Sequence, residues 1–96
     1  MGQIMTLANL LASLDSLDAE DTIYAAEPWN KGSMALVAHE PETGGLPEEA
    51  QTQGMKYFLE VFVARDFLED WKPSLGKEPS RDEVCDRLIQ YAIRDA

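Results

Sequence analysis

The chain has 96 residues, eighteen acidic against eight basic, with a single cysteine and a single histidine. That length fits one domain over residues 1–96, with one core and no deep internal substrate cavity, because a chain this size buries roughly 60–65% of its unfolded surface. A hydrophobic share of 45% against 27% charged separates it from disordered tails, the lone Cys85 excludes an internal disulfide or cysteine-built zinc site, and a net charge of −10 disfavours direct binding to nucleic acid or anionic lipid.

The hydroxyl of Thr6 can cap a first helix, along which Leu7, Leu10, Leu11 and Leu14 recur at helical spacing as one apolar stripe. Asp15 to Asp21 is acidic and turn-prone and reads as a linker. Thr22-Ile23-Tyr24-Ala25 has the β-branched and aromatic composition of a strand, and Met34 to His39 forms a second. The punctuated loop from Glu27 to Ser33 lets the two pair as a hairpin. Glu40 to Gly54 is the longest irregular stretch, within which Pro47-Glu48-Glu49 suits the first turn of a short helix.

Met55 to Val63 reads as a strand with Tyr57, Leu59, Val61 and Val63 on one face and Phe58, Glu60 and Phe62 on the other. Both faces are apolar except at Glu60, which predicts a central strand covered on two sides, by helices or by a second copy of the chain. From Ala64 the period changes: Ala64, Phe67, Leu68 and Trp71 form a helical stripe that Pro73 is expected to end. Ser80 and Glu83 form a capping box for a last helix carrying Val84, Leu88, Tyr91 and Ala92 inward, with Cys85 and Ile89 beside them. The expected fold is α+β, a small three-stranded antiparallel sheet packed with three helices in the order α-β-β-β-α-α.

Reactive constellations are sparse. His39 has Glu40 and Glu42 nearby, but position 43 is Thr, so H-E-x-x-H is missing and no metal is expected. Cys85 sits on an apolar helix stripe among Asp82, Glu83 and Asp86, which oppose thiolate formation. Gly44-Gly45 lacks the lysine and helix start of a phosphate loop, and G-x-S-x-G is absent. No catalytic residues and no cofactor are expected. Met1, Gly2 and Thr6 match the short myristoylation pattern only formally. No run approaches the ~20 apolar residues of a membrane span, and a cytoplasmic location is expected.

The charge is uneven. Residues 1–50 hold nine acids and one base, Lys31, a balance of −8, and residues 51–96 hold nine acids and seven bases, a balance of −2. Asp15, Asp18, Glu20 and Asp21, with Glu40, Glu42, Glu48 and Glu49, give an acidic surface placed on loops, where binding residues concentrate. Trp29 and Leu46 are candidate apolar anchors, Trp29 being otherwise a lid folded back on the core. Glu60, on an otherwise apolar face, is either paired with Arg65, Arg87 or Arg94, or reaches the strand's end, or is a buried polar anchor at an interface.

The succession of a short leading helix, D-x-x-D-T-I-Y (Asp18 to Tyr24), a loop at Trp29, Y-F-L-E-V-F (Tyr57 to Phe62) and Y-A-I-R-D-A (Tyr91 to Ala96) resembles a family of small bacterial domains of unknown function, immunity-type or accessory proteins. The resemblance spans nearly the whole chain and carries no catalytic residue. The expectation is a non-enzymatic acidic module that occludes or neutralises a more basic partner protein. The alternatives are a homodimeric structural domain, a ligand-binding domain with a pocket beside Glu60, His39 and Tyr57, or a small enzyme there.

Overall fold

Thr6 begins the fold as expected: its hydroxyl accepts the Asn9 N–H at 3.3 Å. The next unpaired donors are taken from outside the helix, Leu7 N–H by Ser33 O at 2.7 Å and Ala8 N–H by Lys31 O at 3.2 Å. These bonds tie the helix start to the loop ahead of the second hairpin strand. In this computed structural model, which describes residues 4–42 and 44–95, the elements in chain order are β1 (Met5–Thr6), α1 (Leu7–Ala12), β2 (Thr22–Ala26), β3 (Met34–Ala38), α2 (Glu48–Thr52), β4 (Met55–Glu60), α3 (Val61–Leu75) and α4 (Arg81–Asp95). A 3₁₀ turn at Leu14–Ser16 follows α1. Of the Met1-Gly2-Thr6 pattern, Met1 and Gly2 lie outside the described residues.

The protein is α+β, with a four-stranded antiparallel sheet and four helices where three of each were expected. The additional strand, β1, is only two residues long, too short for an alternating pattern to register. The additional helix, α2, is the short one whose first turn Pro47 marks.

The sheet order is β1-β3-β2-β4, so β4 is an edge strand and β2 a central one, against the expectation from its apolar faces. One face of the sheet (Ile23, Ala25, Ala35, Phe58, Leu59) packs on the leucines of α1, on Ala64 and Leu68 of α3, and on Cys85, Leu88 and Ala92 of α4. On the second face Tyr24, Leu36 and Met55 are covered by Ala50 of α2, with Leu46 against them. Coverage on two sides thus comes from helices above and below an edge strand, which neighbouring strands do not have to supply.

The strand from Met55 ends at Glu60, three residues early. Val61 donates its N–H to Asp21 O at 2.9 Å as the first residue of α3. Within β4 the register slips: Ile23 faces Leu59 and Tyr24 faces Tyr57, leaving Phe58 as the extra residue of a β-bulge. Phe58 and Leu59 consequently both enter the core, and Glu60 turns to the face that carries Tyr57.

Pro73 does not end α3. It lies inside the last turn, where the helix forgoes one hydrogen bond, and Gly76 at φ 70° closes it in the left-handed conformation suited to glycine. The capping box at α4 forms as expected, Ser80 N–H to Glu83 Oε1 at 2.9 Å and Glu83 N–H to Ser80 Oγ at 3.1 Å.

Candidate functional site

Because β2 runs antiparallel to both its neighbours, its beginning meets the ends of β3 and β4. Asp18, Glu20 and Asp21 precede β2, Glu40 and Glu42 follow β3, and Glu60 closes β4. Six carboxylates from three distant segments therefore gather at one end of the sheet.

The contacts that lysines and arginines make among the described residues lie elsewhere. Lys31, the single base of the first half, pairs with Asp82 at 3.3 Å at the start of α4. Lys72 lies 3.8 Å from Glu78 and Lys77 3.6 Å from Glu83. Arg65 is spent on backbone: its Nε and Nη2 donate to Leu14 O at 3.2 and 2.9 Å, and Nη2 also donates to Leu17 O. The Arg87 guanidinium lies 4.9 Å over the Phe67 ring. Among the described residues, the basic side chain that contacts a carboxylate at the acidic end is His39, whose Nδ1 meets Asp21.

That contact replaces the grouping of His39 with Glu40 and Glu42. Register pairs Thr22 with Ala38, so the residues one step out, Asp21 and His39, face each other. Ligand-type atoms of Asp18, Asp21 and His39 lie within 4.8 Å of one another. Asp18 also accepts the Glu20 N–H at 2.9 Å, and the His39 side chain is 74% exposed, so the cluster reads as a histidine–carboxylate contact beside a turn.

The acidic residues do not form one surface. Glu48 and Glu49 lie on α2 and, with Ile4, Thr52 and Gln53, line a separate shallow cleft. Asp15 sits in the 3₁₀ turn at the mouth of a groove of about 600 Å³ floored by Leu11, Leu14, Leu68 and Val84. Arg65, Lys72 and Arg81 offset Asp15, Glu69 and Glu78 along that groove.

Both candidate apolar anchors are half-buried against the core. Trp29 folds back as the lid: its Nε1–H donates to Ala25 O at 3.1 Å and its ring meets Phe58 edge-on at 4.9 Å. Leu46 packs on the Tyr24, Leu36 and Met55 cluster. The large apolar side chains that do reach solvent near the acidic end are Tyr57 and Phe62, which flank Glu60 along the chain. Both were assigned to strand faces in the sequence, and the end of β4 at Glu60 is what exposes Phe62.

Glu60 pairs with none of Arg65, Arg87 and Arg94. It ends β4, half-buried, and accepts from the Tyr57 hydroxyl at 3.4 Å, a long contact. Thr22 separates Glu60 from Ala38, and Tyr24 lies beside Tyr57. Burial pushes the Tyr24 phenol up, with Glu40 and Glu60 adding to the effect and the Thr22 hydroxyl opposing it. Burial also pushes Tyr57 up, with Glu60 next. No group meets hydrogen-bond geometry at the buried Tyr24 hydroxyl. His39, with Asp21, lies in register with the opposite face, so Glu60, Tyr57 and His39 do not meet in one cleft.

The fold and site thus define a small α+β domain with an acidic sheet end and a phenol–carboxylate cluster beside it. No family profile and no solved structure matches the chain. Over 69 residues it is 30% identical to the DNA polymerase II large subunit of Methanopyrus kandleri, a stretch covering 72% of this chain and 5% of that protein. No helix among the described residues is long and apolar enough to cross a membrane.

Proposed function

We propose that the protein is a non-enzymatic, acidic protein-binding module that occludes or neutralises a more basic partner, acting in the cytoplasm as immunity-type and inhibitor proteins do. The observation that carries this reading is the gathering of Asp18, Glu20, Asp21, Glu40, Glu42 and Glu60 at one sheet end while Lys31, Lys72 and Lys77 are paired elsewhere. A concentrated negative potential steers a basic protein into encounter and repels nucleic-acid phosphate. The part-length likeness to a polymerase subunit adds no nucleic-acid role to this reading. The resemblance of its strand and helix motifs to small bacterial immunity-type or accessory domains is part of this proposal.

The test is retention of basic proteins from a bacterial lysate on the immobilised protein at low and high salt. Basic proteins should be held at low salt and released as salt rises, and the triple variant Asp18→Asn, Glu20→Gln, Glu42→Gln should hold less. Retention of nothing basic, or retention indifferent to salt, overturns the reading.

A further inference from the structure

The second face of the sheet carries a polar cluster that packing does not explain. Register sets Tyr24 beside Tyr57 and Thr22 beside Glu60, and Glu40 follows Ala38 by two residues, just past the end of β3. Tyr24 is 1% exposed, and its hydroxyl, at the buried end of the cluster, has no hydrogen-bond partner. Buried polar groups are almost always satisfied, and the neighbouring Thr22 hydroxyl does not reach this phenol with hydrogen-bond geometry, so the phenol keeps capacity for a further bond. Both carboxylates act on both phenols, which places the four groups in one electrostatic neighbourhood. At 3.4 Å the Tyr57 hydroxyl holds Glu60 loosely, leaving acceptor capacity on that carboxylate. None of the ion pairs among the described residues reaches Glu40 or Glu60.

We propose that Glu40, Glu60, Tyr57 and the Tyr24 hydroxyl form a receptor for one cationic side chain, a lysine ammonium or arginine guanidinium, presented by the basic partner. This rests on the function proposed above and names the contact that would make it specific. An ammonium or guanidinium is donor-only, matching an acceptor-rich cluster, and the exposed ring of Tyr57 offers a face for cation–π contact. A second copy of this chain is a poor occupant: each copy carries −10, and Lys56, the base on β4, is in register with Ala25 of the opposite face.

The probe is a synthetic decapeptide of alternating lysine and glycine, titrated calorimetrically into the full chain at low salt. Tyr24→Phe changes no charge, yet it should weaken binding at least about tenfold, the value of one hydrogen bond to a charged group. Glu60→Gln should weaken it more than Glu42→Gln, which removes the same charge outside the cluster. If the peptide binds in a salt-dependent manner but Tyr24→Phe binds like wild type and Glu60→Gln like Glu42→Gln, the receptor is overturned and the acidic module stands. If wild type binds no peptide, both fall. Melting curves establish that each variant is folded, and should Tyr24→Phe not fold, Tyr57→Leu takes its place with the same expected loss.

Discussion

Tyr57 and Glu60 lie three residues apart on β4 yet share one face of the sheet, the phenol 3.4 Å from the carboxylate, because Phe58 is an extra residue in the pairing with β2. Strict alternation would set them on opposite faces. The bulge therefore does two things: it sends Phe58 inward under Trp29, and it builds the polar cluster outside.

The carboxylate's influence on the phenol is measurable. Tyr57 is held above the usual 10.0 first by burial and then by Glu60. Glu60→Gln should lower the alkaline midpoints of Tyr57 and Tyr24 in an ultraviolet titration without returning either to the free value, since burial remains. An unchanged titration would separate the two side chains in solution.

Trp29 acts as a lid, so its removal should cost stability. Trp29→Ala deletes the hydrogen bond to Ala25 and the edge-on contact with Phe58, and should destabilise the protein by about 3 kcal/mol in urea unfolding. An exposed anchor would instead leave the unfolding midpoint where it was and lower only partner affinity.

Arg65 joins two regions 48 and 51 residues apart by donating to the Leu17 and Leu14 carbonyls. Arg65→Ala takes the donor from Leu17 O and leaves Leu14 O with the Leu17 N–H at 3.2 Å, and should destabilise by about 2 kcal/mol. Arg65→Lys should recover only part of this, because an ammonium lacks the planar fork. Urea titrations of the three proteins decide it.

Cys85 is buried in the core, which pushes its thiol up from 9.0 to about 11, with Asp86 and Asp82 contributing. The folded state keeps a proton that the unfolded chain loses above pH 9. The contribution to stability is therefore whole below pH 9 and falls as pH rises to about 11, by about 2–3 kcal/mol in all. Comparing the alkaline stability of wild type and Cys85→Ala isolates it from the tyrosines. In the folded protein at neutral pH the thiol should react with disulfide reagents no faster than the chain unfolds.

The parts of this protein that depend on neighbours a few residues away were legible in its sequence. The leucine stripe of α1, the capping box of Ser80 and Glu83, the burial of Leu88 and Ala92 on α4 and the β2–β3 hairpin follow from helical period, side-chain caps and a punctuated loop, whereas Cys85 and Ile89 take the inner places expected of Val84 and Tyr91, which stay half-buried. The acidity of the flanking segments was legible too, as a matter of composition. What tertiary structure decided are pairings between distant residues: β4 at an edge, the bulge at Phe58, Asp21 against His39, Arg65 on two carbonyls, and the convergence of Glu40 and Glu60 from separate strands. A side chain's period is set by its own backbone, whereas its partner across a sheet is set by register, and a single extra residue in one strand is enough to reverse which face a carboxylate occupies.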